Sequence, residues 1–169
     1  VIGQQHTETE RVFFEKSVHM QSTVYYADAM WDLVRTGGTP SLQYYKVVNR
    51  AMREMHDLTS DLPGSYQYYN IKTVLAAVDV LRANQGMDIP FANVQRALSK
   101  VKKLTGLFGR WDVLQDKPLI IADVGHNIAG ITEVTNQWKN VVADNKHIVI
   151  GFVKDKDIDN VLALLPKDN

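Results

Sequence analysis

Apolar positions in this chain recur at helical spacing in some stretches and in short alternating or unbroken runs in others. From Tyr66 to Gln85, Ile71, Val74, Leu75, Val78 and Leu81 fall at i, i+3, i+4, i+7 and i+10, which is one face of a helix, and Gly86 is placed to end it. A second helix opens near Pro90, whose missing N–H is tolerated in a first turn, and carries Phe91, Val94, Leu98 and Val101 on one face. Nearer the start, Thr7-Glu8-Thr9-Glu10 has the Thr-x-x-Glu spacing of a capping box and predicts a helix from about Glu8 to Met20. Thr23-Val24-Tyr25-Tyr26 and Leu42 to Val48 are rich in aromatic and β-branched residues and flank a break at Thr36-Gly37-Gly38-Thr39-Pro40. Residues 23–62 therefore predict a small, partly antiparallel strand region.

The last third has a different rhythm. Pro118 to Val124 reads as a strand, Ile128 to about Val142 as a helix, Lys146 to Val153 as a second strand and Ile158 to Leu165 as a further helix. A strand, helix and strand at this spacing predict a right-handed βαβ crossover, part of an open parallel α/β domain. Between the two rhythms, Thr105-Gly106-Leu107-Phe108-Gly109 brackets two apolar residues with glycines. This is the expected boundary and hinge, dividing the chain into 1–106 and 107–169. The fold class expected is α/β. Val1-Ile2-Gly3 reads as the end of a buried strand, and the chain closes after Leu164-Leu165-Pro166 where a helix should hand over to another strand. Both features predict a piece of a longer polypeptide.

Composition narrows the function classes. With 169 residues, 45% of them hydrophobic, the chain suffices for one ordinary core or two partial ones. Its formal net charge of zero argues against a nucleic-acid partner, which requires a basic stripe to displace counterions. The absence of cysteine removes disulfides and thiolate metal sites, so a metal would be held by His and carboxylates, and the histidines are scattered. No apolar run reaches the roughly 18 residues that cross a bilayer, nor do the first residues have the pattern of a secretory leader. The expectation is a soluble, cytoplasmic monomer without a membrane partner.

Candidate chemistry concentrates around Asp123. An acidic residue that ends an apolar strand is placed to accept from the vicinal hydroxyls of a ribose, and equally to cap the following helix. Gly125 permits close approach of a ligand or another backbone, while Asn127 suits a cap or a ligand contact. Arg110, beside a hinge glycine, offers a planar fork matched to phosphate oxygens; the alternative is a surface charge. His126 could serve as an acid or base, a ligand contact or a helix-start residue. Asn70, at a predicted helix start, could read an adenine edge or cap the turn. The tyrosine pairs lack basic interleaving and read as half-buried sheet faces rather than a base-stacking platform.

Together, these motifs resemble the Mur ligase superfamily, most closely its folylpolyglutamate synthase and dihydrofolate synthase branch. The segment Leu62-Pro63-Gly64-Ser65-Tyr66-Gln67-Tyr68-Tyr69-Asn70, followed by Thr73-Val74-Leu75-Ala76-Ala77, is similar to the family segment closing the central ATPase domain. Gly106 to Arg110 resembles its Gly-Leu-x-Gly-Arg hinge. Asp123-Val124-Gly125-His126-Asn127-Ile128 resembles an Asp-Gly-Ala-His-Asn-Pro turn with Ile in place of Pro, and Gly151 to Ile158 its Gly-x-x-x-Asp-Lys-Asp segment. Val1-Ile2-Gly3, with His6 and Glu8 nearby, is also similar to its central domain. The resemblance implies the C-terminal part of a P-loop-type ATPase central domain joined by a hinge to a partial Rossmann-like C-terminal domain.

It further implies that Asn70, Arg110 and Asp123 bind ATP at its adenine, phosphates and ribose. His126 would touch an acyl phosphate or the incoming glutamate. The implied reaction adds L-glutamate to a folate or dihydropteroate carboxylate, with Mg2+ as cofactor. The chain lacks a Gly-x-x-x-x-Gly-Lys-Ser/Thr loop. That loop, the modified lysine and the magnesium-binding Glu and His would lie upstream of Val1, so the chain alone is expected to be inactive. Two alternatives remain at this point: a peptidoglycan-type Mur ligase, and a non-catalytic nucleotide-binding or interaction module.

Overall fold

A computed structural model describes residues 1–152 and 158–166. The first half is built on a three-stranded antiparallel sheet in the order β1 (Trp31–Gly38), β2 (Gln43–Asn49), β3 (Met55–Ser60). On β2, burial alternates with the pleat: Gln43, Tyr45, Val47 and Asn49 point inward, whereas Tyr44 and Lys46 point out. This inward face meets α2 (Ala27–Met30), α3 (Gln67–Gln85) and α4 (Phe91–Leu98). Ala27, Trp31, Leu33, Tyr45, Val47, Leu58, Ile71, Leu75, Ala76, Val94 and Leu98 form its core.

Asp79 fastens α3 to the sheet. Trp31 Nε1 and Asn49 Nδ2 both donate to its Oδ2, at 2.8 and 3.0 Å, and Arg82 approaches its other oxygen at 3.4 Å. Side-chain nitrogens and oxygens of four residues that would otherwise be costly under the sheet thus satisfy one another.

Several sequence expectations hold and others shift. Gly86 ends α3 in the left-handed conformation, φ 62°, and Val94 and Leu98 are the buried residues of α4. The buried stripe of α3, however, is Gln67, Ile71, Lys72, Leu75 and Ala76, while Val74 and Leu81 are exposed. Lys72 is accommodated by the Tyr68 ring, whose centroid lies 4.6 Å from its Nζ. The Gly37-Gly38 pair does not break the chain before the sheet; it lies within β1, beside a register shift between Arg35 and Gly37 that absorbs one extra residue. Residues 23–26 make a single parallel bridge, Ile2 to Tyr26, rather than a strand, because no neighbour extends the ladder. The helix α1 (Thr7–His19) forms as expected, but without the capping box. His6 is its N-cap, and the Glu10 carboxylate accepts from Gln5 Nε2 at 2.7 Å instead of reaching back to the backbone.

After α5 (Val101–Thr105), the second half holds the hairpin β4 (Asp112–Asp116) and β5 (Leu119–Ala122), and then α6 (Ile128–Lys139) and α7 (Ile158–Ala163). Here the largest correction falls. The expected strand from Lys146 to Val153 is absent among the described residues, as is the parallel crossover; β5 pairs antiparallel with β4 instead. Val153 and the Lys154-Asp155-Lys156-Asp157 run lie outside the described residues. Ile148, Val149 and Ile150 are exposed. A parallel strand of this composition needs cover on both faces, which the described residues do not supply. The architecture is therefore mixed α/β with small antiparallel sheets. No helix among the described residues is long and apolar enough to cross a membrane.

Candidate functional site

The loop between α5 and β4 is organised by two carboxylates. Asp112 is buried, pairs with Lys102, and accepts from the Gly109 N–H. Burial pushes its carboxyl up, but Lys102 and the N–H groups of Gly109 and Arg110 outweigh this and hold it below its ordinary value. The backbone is bent sharply to make these bonds. Gly106 and Gly109 have φ of 70° and 75°, and Trp111, with a large side chain, has φ 55°. Gly109 has a second reason to be glycine, because a Cβ there would collide with the Val124 side chain. Gly109, one of the two glycines of the expected hinge, is thus held by Asp112 on one side and packed against Val124 on the other.

Asp123, just past the end of β5, is the second organiser. Its Oδ2 accepts from Trp111 N at 2.8 Å and from the Tyr66 hydroxyl at 2.9 Å, and its Oδ1 accepts from Gly125 N at 2.7 Å. Burial, followed by the neighbouring Asp123 charge and hydrogen bond, raises the Tyr66 pKa, so the phenol stays protonated and donates. At Gly125 an added Cβ would lie 3.2 Å from Asp123 Oδ1 and 3.3 Å from the Gly130 carbonyl carbon, so the missing side chain lets the strand end close onto α6.

Of the other expected site residues, Gly125 donates to this carboxylate, and Arg110, Asn127, His126 and Asn70 have contacts elsewhere. Arg110 is half-buried and donates to the adjacent Gly109 carbonyl at 3.2 Å; among the described residues it pairs with no carboxylate. Its charge acts on Tyr66, opposing the rise in pKa. Asn127 is the N-cap of α6, accepting from Gly130 N at 2.8 Å, which realises the capping alternative. His126 is exposed, with Nδ1 3.0 Å from the Val124 carbonyl. A carbonyl only accepts, so this contact places the proton on Nδ1 and leaves Nε2 turned to its surroundings. Asn70 is exposed in the first turn of α3 and donates to Gln67 Oε1 at 2.9 Å. No group of three or more His, Asp or Glu suited to a metal occurs among the described residues.

Sequence reasoning did not find four participants. Tyr66 was part of a motif but had no role, and the Lys102–Asp112 pair and Gln137 were not singled out. Gln137 ties the halves together: its Oε1 accepts from Ser65 N at 2.7 Å and its Nε2 donates to the Pro63 carbonyl at 3.1 Å. These contacts span more than 70 residues, so no local pattern announces them. Asp123 and Gly125 also border a cleft of about 680 Å³ walled by apolar side chains, among them Trp111, Leu119, Ile121, Ile131 and Trp138.

Solved structures decide the fold family. The chain superimposes on an FPGS–AMPPCP–folate complex with a TM-score of 0.78 at 19% identity, covering 96% of this chain and 40% of that one. The chain has the fold of the folylpolyglutamate synthases. A second folylpolyglutamate synthase, from Thermotoga maritima, matches with a TM-score of 0.71 at 19% identity over 95% of this chain and 36% of that one. Among curated proteins, a dihydrofolate synthase/folylpolyglutamate synthase of Buchnera aphidicola subsp. Schizaphis graminum is 28% identical over 83 residues, 48% of this chain. A UDP-N-acetylmuramoyl-L-alanyl-D-glutamate–2,6-diaminopimelate ligase of Bacillus licheniformis is 29% identical over 100 residues, 59% of this chain. The chain spans about a fifth, 19%, of each of these two curated relatives. No family profile matches it. The comparisons support the likeness read from the sequence to the folylpolyglutamate synthases and their Mur ligase relatives.

Proposed function

We propose that this chain belongs to an ATP-dependent ligase that adds L-glutamate to a folate or dihydropteroate carboxylate through an acyl phosphate. The observation that carries the reading is the Asp123 carboxylate. It is oriented by two backbone N–H groups at a strand end and shares its neighbour Tyr66 with the Arg110 guanidinium, which has no carboxylate partner among the described residues, in a fold shared with an AMPPCP- and folate-bound relative. In this reading Asp123 accepts from the ribose, Arg110 donates to phosphate oxygens, and Asn70 meets the adenine edge. The Nε2 of His126 faces the acyl phosphate or glutamate. Residues 1–106 would be the C-terminal part of an ATPase domain and 107–169 the beginning of the glutamate-ligating domain. The site would be assembled where they meet. Mg2+, held by residues outside this chain, would neutralise charge on the transferred phosphoryl group.

The test is the apparent Michaelis constant for ATP in the enzyme that carries this chain. Asp123→Ala should raise it by about tenfold, the scale of a charge-assisted hydrogen bond, and an unchanged value removes Asp123 from the site. The 169-residue chain alone should show no glutamate-dependent ATP hydrolysis. The match to the diaminopimelate-adding enzyme favours a second reading, a peptidoglycan-type ligase. Supplying glutamate with a pteroate, or a nucleotide-linked muramyl peptide with its amino acid, separates the two by which pair drives hydrolysis.

A further inference from the structure

The three donors on Asp123 differ in how they could be released. The Trp111 and Gly125 N–H groups belong to a backbone fixed by the loop and by the start of α6, whereas the Tyr66 hydroxyl is a side-chain group reaching across from the other half. An ionised carboxylate has about four acceptor positions, two on each oxygen. Tyr66 and Trp111 take both positions on Oδ2, and Gly125 takes one on Oδ1. A ribose offering two vicinal hydroxyls would therefore find Oδ2 fully engaged.

We propose that Tyr66 gates nucleotide entry: its hydroxyl occupies the place of a ribose hydroxyl on Asp123 and must leave before the ribose can engage both carboxylate oxygens. The inference rests on Asp123 being the ribose site. The surroundings suit a side chain that moves while its backbone stays. Ser65 and Pro63 are tied to Gln137, so the segment remains docked on α6. The Tyr66 ring lies over Gly64, where an added Cβ would be 2.8 Å from ring atoms Cε1 and Cζ. A methyl group at position 64 would thus push the phenol away from Asp123 without removing its hydroxyl.

Isothermal titration, with ATP, of the enzyme that carries this chain tests the gate in two variants of different kind. Tyr66→Phe deletes the competing donor and Gly64→Ala displaces it, so each should tighten ATP binding by roughly 2- to 10-fold, the net worth of one hydrogen bond. Neither should tighten binding of 2′,3′-dideoxy-ATP, which has no hydroxyl to take the vacated place. Equal or weaker ATP affinity in both variants, with Asp123→Ala still weakening binding by about tenfold, overturns the gate and leaves the ribose site standing. An equal gain for the dideoxy nucleotide does the same. No loss on Asp123→Ala, or no ATP binding by any form, overturns the ribose reading and the gate together.

Discussion

The two halves of the molecule are held by different means. Around the three-stranded sheet, eleven residues form one apolar cluster with relative exposures of 6% or less, and polar groups such as Asp79 serve to lock it. Beyond Gly106 the buried apolar residues among those described are Trp111, Ile131 and Val161, and order comes largely from side-chain oxygens of Asp112, Asp123 and Asn127 receiving backbone N–H groups. Apolar packing tolerates small shifts, whereas a carboxylate fixed by several N–H groups has a defined position and direction. Apart from Asn70, the candidate site residues sit in the half built the second way. The comparison shows stability supplied on one side of the seam and geometry on the other.

Core truncation gives the largest contrast. Leu75→Ala, at a residue 1% exposed, should lower unfolding stability by about 2–5 kcal/mol in a urea titration. A cost below that of Ile131→Ala in the second half would break the contrast. Next comes Gly109→Ala, which combines a left-handed backbone with a collision against Val124 and should cost about 1–3 kcal/mol. Its effect should register in Trp111 fluorescence, and an unchanged spectrum with unchanged stability would mean that the loop is not pinned as described.

Acid titration sharpens the comparison through Asp112. Its folded pKa is depressed, so the stability it contributes is fully present above its unfolded value, near pH 4, and is lost as pH falls through the lower folded value. Asp112→Asn should therefore be less stable than the parent at pH 6, and the two should converge in the acid range. A difference independent of pH would show that the charge is not what matters. The smallest effect is expected at Asp61, whose oxygens each accept at 3.0 Å from Val101 N and Lys102 N at the start of α5. Asp61→Ala should cost about 1 kcal/mol, measured by thermal unfolding.

What could be read from the sequence follows the same division. Gly86, the Val94–Leu98 face and the Asn127 cap are local devices whose chemistry acts within a few residues, and each appears where the pattern placed it. Thr7 and Glu10 have the right spacing for a capping box, but a competing neighbour, Gln5, takes the carboxylate. The run from Ile148 to Ile150 has a strand's composition, yet strand formation depends on partners that no local spacing specifies. At the site, Asp123 was legible from its position at a strand end. Its partner Tyr66 was not, being 57 residues away.

The hairpin carries one more consequence. Among the described residues β5 is paired on one side only, and its Leu119 and Ile120 are 44% and 43% exposed. A strand edge with unpaired amides and apolar side chains is a template for adding further strands. Concentrated preparations of this chain should self-associate by edge-to-edge pairing, and a lysine in place of Ile120 is the change that would keep them dispersed.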